Sequence, residues 1–152
     1  MSRIGILIEG ANGSGKSTLA NALSTCTGLP VKHAGPHATT LLSTFKCIRE
    51  QLSWLRKGYI LDRCTPVSEQ VYNENVNKLL KVALNVVYYC LYRRHIIIFC
   101  TGVGAFTNKK YYTRDHYREI TAKQEKIRCN YETFFKNKKH VKYNFGGQHG
   151  SL

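Results

Sequence analysis

Apolar residues fall along the chain either in short saturated runs or with a three-to-four-residue beat, and the two patterns alternate. Ile4 to Ile8 is a short run bounded by glycine, which predicts a buried strand, and His95 to Cys100, with three consecutive isoleucines, predicts another. Val31 to His33, Tyr59 to Leu61 ending in Asp62, and Val141 to Phe145 read as further strands. Between them the beat is helical. From Lys16 to about Cys26, residues Leu19, Ala20, Ala22, Leu23 and Cys26 share a face, and Gly28 with Pro30 stops the helix. Thr40 to Arg56 carries Leu41, Leu42, Phe45, Ile48, Leu52 and Leu55 on one side. Pro66 and Ser68 open a further helical stretch. Leu79, Leu80, Ala83, Leu84, Val87, Tyr88 and Leu91 form an amphipathic helix, and Tyr117 to Phe135 predicts the last one. Strands alternating with helices predict an α/β domain in three layers, a parallel sheet of about five strands covered on both faces.

The 152 residues suit one domain that buries about 70% of its unfolded surface, spanning residues 1–145, with 146–152 as a flexible tail. Hydrophobic residues at 43% and charged residues at 21% exclude disorder and low-complexity fibres. Charge changes the picture more. Lys and Arg number 23 against 9 Asp and Glu, a net +14 that predicts a phosphate-rich partner: a nucleotide, a nucleic acid or an anionic surface. Six cysteines stand singly, without the paired spacing of zinc, haem or thioredoxin-like sites, and read as reduced, mostly packed thiols. The opening apolar run leads into a glycine-rich loop and not a cleavage site, and Arg93, Arg94 and His95 interrupt the longest apolar stretch. No membrane association and a cytoplasmic location are expected, the host cytoplasm if the chain is viral.

The chemistry starts at Gly10-Ala11-Asn12-Gly13-Ser14-Gly15-Lys16-Ser17, which matches G-x-x-x-x-G-K-[ST] between a predicted strand and a predicted helix. Glycines let successive amides face phosphate oxygens, the helix start adds partial positive charge, and Lys16 supplies a cation for the β- and γ-phosphates. Ser17 is the expected magnesium ligand, and Thr18 completes the segment. ATP and Mg2+ are therefore the expected cofactors. Of the nine carboxylates only Glu9 and Asp62 lie at the carboxyl ends of predicted inner strands, where open α/β sheets place their ligands. Asp62 can meet the magnesium or its water while Arg63 faces substrate phosphate. Glu9 either contacts substrate or holds loop amides.

IEGANGSGKST together with GYILDRCTPVSEQVY resembles the thymidylate kinase and deoxynucleoside kinase group of P-loop kinases, nearest to small phage-type nucleotide kinases. The resemblance implies that Asp62, Arg63, Ser68 and Tyr72 contact magnesium and the acceptor, and that Asn12 stands where many thymidylate kinases carry an acid that reads the sugar hydroxyl. It also implies a short basic lid, which falls on residues 102–115, with Arg114 as its arginine and Arg118 close by; homodimers are common in the group. Residues 109–142 hold eleven Lys or Arg and four acids, a surplus of seven, more than a lid needs.

The function implied is transfer of the γ-phosphate of ATP to a deoxynucleoside monophosphate such as dTMP. An acceptor that already carries an ionised phosphate needs cations and no general base. The alternatives are a deoxynucleoside kinase, whose members carry a glutamate after the second strand where HAGPHATT has no acid, and a polynucleotide 5′-kinase or nucleic-acid-binding NTPase, supported by the charge. Phe45, Trp54 and Tyr72 read as core aromatics that could instead stack on an acceptor base, and His33 and His37 flank a turn near the expected acceptor.

Overall fold

The computed structural model describes residues 3–11, 13–34, 40–73, 75–102 and 114–144, with side chains in the last span from residue 122 onward. The elements are β1 (Ile6–Gly10), α1 (Lys16–Thr27), β2 (Val31–His33), α2 (Leu41–Arg56), β3 (Ile60–Asp62), α3 (Thr65–Tyr72), α4 (Lys78–Val87), β4 (Ile96–Cys100), α5 (Arg114–Phe135) and β5 (Val141–Tyr143). A single parallel sheet runs in the order β2-β3-β1-β4-β5. β1 sits at its centre, and the loop that follows it opens at the point where the strand order reverses.

Helix ends follow local chemistry. Thr40 caps α2 by accepting from the Ser43 amide while the Ser43 hydroxyl receives the Thr40 amide. α1 ends on Gly28 in the left-handed region, with the Gly28 amide bonded to the Ser24 carbonyl at 2.8 Å. α4 runs into a π-helical turn, Tyr88–Tyr92, closed by the Arg93 amide on the Tyr88 carbonyl at 3.2 Å.

Side chains alternate across the strands and so divide the core in two. Leu7, Leu61, Ile97 and Phe99 face α2, α3, α4 and α5, where Leu52, Leu55, Val67, Leu84, Tyr88, Tyr92, Ile127, Tyr131 and Phe135 complete one cluster. Ile8, Ile60 and Cys100 face Ala20 of α1, with Leu19, Leu23 and Ile98 packed beside them.

Several boundaries depart from the sequence reading. β1 starts later and continues through Glu9 to Gly10, because Glu9 pairs with Phe99 and Gly10 with Cys100; a charged residue inside a central strand breaks the apolar-run rule. α5 opens at Arg114, three residues before the expected start, and β5 stops at Tyr143. In α2, Ile48, Leu52 and Leu55 are buried, but Leu41, Leu42 and Phe45 are exposed, so the apolar stripe runs past the part of the helix that the described residues cover. The π turn adds a residue to the helical repeat, so Tyr92 turns inward and Leu91 outward. All six thiols are free, but only Cys64 and Cys100 are buried, which corrects the expectation of mostly packed cysteines.

Candidate active site

The carboxyl edge of the sheet gathers the candidate residues by register. Asp62 lies beside Ile8 on one side and His33 on the other, and Gly10 lies beside Cys100. Two bonds tie the departing chains together: the Arg63 amide donates to the Ile8 carbonyl at 2.9 Å, and the Ala34 amide to the Asp62 carbonyl at 3.2 Å.

Gly10 has φ +154°, and a Cβ there would come within 2.6 Å of Ser14 Oγ and 2.7 Å of the Cys100 carbonyl oxygen, so only glycine lets the chain turn out of the strand. The Ser14 amide closes on the Ala11 carbonyl at 3.2 Å, Gly13 is exposed at the bend, and Gly15, at φ 89°, precedes α1 without a side-chain cap. The first amides of α1 are thus left for an anion, which the helix start also favours electrostatically. Ser14 Oγ is buried without a hydrogen-bond partner among the described residues. Lys16 is only 7% exposed, whereas Ser17 and Thr18 face solvent. Burial holds the Lys16 ammonium below its ordinary pKa; the Arg63 charge acts in the same direction, and Asp62 and Glu9 oppose it.

Glu9 is fully buried. Its Oε1 accepts from the Cys64 amide at 2.7 Å and its Oε2 from the Tyr131 hydroxyl at 3.0 Å. Burial pushes this carboxyl up to about 7, against the pull of those bonds and of Arg63. Glu9 thereby joins the central strand to the residue after Arg63 and to α5. Arg63 occupies the left-handed region at φ 71°, a conformation that costs a non-glycine residue on the order of 1–3 kcal/mol. The amides of Arg63 and Cys64, bonded to Ile8 and Glu9, hold it there. Its guanidinium lies 5.1 Å from the centre of the Tyr72 ring, and Tyr72 meets Tyr131 edge-on at 6.0 Å.

The Asp62 carboxylate is buried, with Oδ2 3.1 Å from His33 Nδ1, which donates to it. Asp62 Oδ1 is buried without a partner among the described residues. Asp62 Oδ1, a carboxylate oxygen left open at a polar strand edge, suits a hard cation such as magnesium or its waters, and Ser17, the expected ligand from the loop, has its side chain exposed. Among the described residues no group of three or more His, Cys, Asp or Glu forms a metal site of its own.

α3 is fixed from behind. The Thr65 amide donates to Gln51 Oε1 at 2.8 Å, Gln51 Nε2 donates to Thr65 Oγ1 at 2.7 Å, and the Tyr92 hydroxyl donates to Gln51 Oε1 at 3.3 Å. Half-buried Ser68 donates its amide to the Cys64 carbonyl at 3.0 Å. Sequence reasoning missed Gln51, Tyr92 and Tyr131. A glutamine on a helical face and tyrosines within apolar stripes carry no signal that separates them from solvent-facing or purely packing residues.

The edge therefore brings together Gly10, Ser14, Lys16, Asp62 and Arg63, with Glu9 beneath them and Tyr72 alongside. Asn12, His37, residues 103–113 of the lid expected over 102–115, and the side chains of Arg114 and Arg118 lie outside the described residues. Of the other aromatics, Phe45 is exposed, and Trp54 is half-buried with the Lys32 ammonium 5.8 Å from its ring centre.

No protein-family model matches the sequence, and no curated protein matches it. Solved structures do. YorR from Bacillus subtilis, crystallised with phosphorylated GDP, is 17% identical with a TM-score of 0.67, covering 96% of this chain and 88% of its own. Thymidylate kinase from Ehrlichia chaffeensis is 16% identical with a TM-score of 0.59, covering 100% and 91%. Deoxyadenosine kinase from M. mycoides with bound dCTP is 21% identical with a TM-score of 0.54, covering 93% and 89%. At these identities the likeness establishes the fold, a thymidylate and deoxynucleoside kinase-like P-loop fold. No described helix is long and apolar enough to cross a membrane.

Proposed function

We propose that this chain is an ATP- and magnesium-dependent phosphotransferase that moves the γ-phosphate of ATP onto a deoxynucleoside monophosphate, as a thymidylate kinase does. The observation that carries the reading is Arg63, held at φ 71° on the same strand edge as the Gly10–Lys16 loop, so that two fixed cations, Arg63 and Lys16, flank one anion cradle. Two phosphates that must approach each other need that charge more than they need a base. The amides at the start of α1 would bind the β- and γ-phosphates, and Lys16 would follow the phosphoryl group in transit. Arg63 would hold the acceptor phosphate in line. Glu9, with both oxygens bonded and no exposure, acts as a positioning residue for Arg63 through the Cys64 amide and does not touch substrate. Ser17 and Asp62 would hold magnesium, which when bound offsets charge on the phosphate oxygens. Ser68 and Tyr72 border the acceptor side; Asn12, Arg114 and Arg118 are assigned to substrate and lid by sequence alone.

One feature favours a second reading. The Asp62–His33 pair could relay a proton from a nucleoside 5′-hydroxyl, as a deoxynucleoside kinase requires. Turnover of ATP against nucleosides, nucleoside monophosphates and 5′-hydroxyl oligonucleotides separates these readings, and monophosphates are the expected substrates. Lys16→Ala is expected to lower that turnover by roughly 10²–10³-fold with the melting temperature preserved. Near-normal turnover in this variant would overturn the assignment.

A further inference from the structure

We propose that the open cleft between α3, α4 and the C-terminal half of α5 is a second binding site, for a small nucleoside phosphate. Its volume is about 450 Å³, within the span of small-molecule sites, and none of its lining residues belongs to the phosphate loop or the Asp62–Arg63 edge. Lys81, Lys126 and Lys138 line it, and none of its described lining residues is acidic. These lysines answer the charge surplus that a lid leaves over, since Lys126 and Lys138 both come from the basic C-terminal third.

The cleft is built to a fixed shape. Asn130 Nδ2 donates to the Val71 carbonyl at 3.0 Å and pins α5 to α3. Lys138 Nζ donates to the Phe134 carbonyl at 2.9 Å and stands 3.9 Å from the centre of the Phe134 ring. Burial and the neighbouring Lys81 charge both hold the Lys138 ammonium below its ordinary pKa, so an anion between the two would relieve their repulsion. A bare anion would leave one demand unmet. Asn85, which also lines the cleft, has a buried Oδ1 without a hydrogen-bond partner among the described residues. A ligand that carries an N–H or O–H donor beside its phosphate satisfies Asn85 and the Lys81–Lys138 pair together, and the Phe134 ring offers a surface to a base.

The test is a titration of the isotopically labelled full chain with ADP, pyrophosphate and adenosine, followed by NMR at the side-chain amides of Asn85 and Asn130. Saturable shifts with ADP, binding about tenfold weaker with pyrophosphate and none with adenosine are expected. Lys81→Gln combined with Lys126→Gln should weaken ADP at these resonances by about tenfold or more while leaving ADP-induced shifts at Gly13 and Gly15 unchanged. Both lysines are exposed, and a preserved melting temperature will show that the double variant folds. Asn85→Leu should weaken ADP and spare pyrophosphate. Absence of shifts at Asn85 and Asn130 at millimolar ADP, or shifts indifferent to the two lysines, would overturn the site; equal affinity for pyrophosphate and ADP would overturn the nucleoside part of its ligand. Neither outcome bears on the kinase reading, which the turnover panel tests separately.

Discussion

The two faces of the sheet are unequal. On one, α1 is the only described helix and Ala20 its only apolar side chain that is fully buried, resting on Ile8, Ile60 and Cys100. On the other, α2 to α5 enclose an interlocked set of rings in which Phe135 stacks on Phe99 at 4.8 Å and Tyr88 on Tyr92 at 6.1 Å. The candidate site draws on both. The phosphate loop leads into α1 on the lightly packed face, while Glu9 and Tyr131, which hold Arg63, and Gln51 and Tyr92, which hold the start of α3, are rooted in the aromatic one. Phosphate binding uses backbone amides and tolerates a thin support; holding a strained arginine does not.

The largest test of this asymmetry is a pair of truncations. Phe135→Ala removes a fully buried ring and should cost about 3–5 kcal/mol, whereas Leu23→Ala, on the half-buried side of α1, should cost about 1 kcal/mol. Urea denaturation of both variants measures the difference, and equal losses would show that α1 bears as much of the core as the aromatic side.

The strand-and-helix alternation behind this arrangement was legible in the chain because apolar runs and helical beats report burial directly. Lys16–Thr27, Val31–His33 and Leu41–Arg56 fall nearly where the pattern puts them. The phosphate loop was legible because glycine spacing records backbone conformation. Arg63 was named from its neighbours in sequence, but its left-handed backbone was not visible, since nothing in Asp62-Arg63-Cys64 resembles a turn signal. What holds it comes from Glu9, backed by Tyr131, which lie far away in sequence and meet only after the sheet forms. Pairings at that separation leave no periodic trace.

Next in size is a pH effect that divides Glu9 from His95. Glu9 titrates near 7 when folded against an ordinary 4.5, so its contribution is fully present below 4.5 and is lost as pH rises through 7, up to about 3 kcal/mol. His95 has the opposite sign. The Gly5 amide donates to its Nδ1 at 2.9 Å, which requires the neutral ring, and burial with Arg94 and Arg56 holds it down to about 4. Its contribution is present above 6.5 and is lost as pH falls toward 4. The two slopes oppose each other in the wild type between 4.5 and 6.5. Glu9→Gln, which keeps an oxygen for the Cys64 amide, should therefore expose the His95 slope, with stability rising across that window in chemical denaturation. A profile parallel to the wild type would show that Glu9 does not titrate there.

Gln51→Leu probes the link between the aromatic face and α3 at smaller scale. It leaves the buried Thr65 amide without its acceptor and should cost about 1–3 kcal/mol. If Gln51 also sets the angle of α3, the acceptor KM should rise more than kcat falls. Unchanged stability would mean that water or Tyr92 takes over the Thr65 amide.

The smallest effect is expected at the exposed end of α2, where periodicity and burial part company. Leu42 continues the apolar stripe of Ile48, Leu52 and Leu55, yet it is 81% exposed while those three are 5%, 6% and 0% exposed. A side chain that gains nothing from folding loses nothing by becoming polar, so Leu42→Ser should change stability by less than about 0.5 kcal/mol. Thermal melts of this variant beside Ile48→Ala, where a buried truncation should cost about 2–5 kcal/mol, place the boundary of the core within one helix. A Leu42→Ser loss above about 1 kcal/mol would mean that this turn is covered in solution, and the aromatic face would then extend beyond the sheet to the N-terminus of α2.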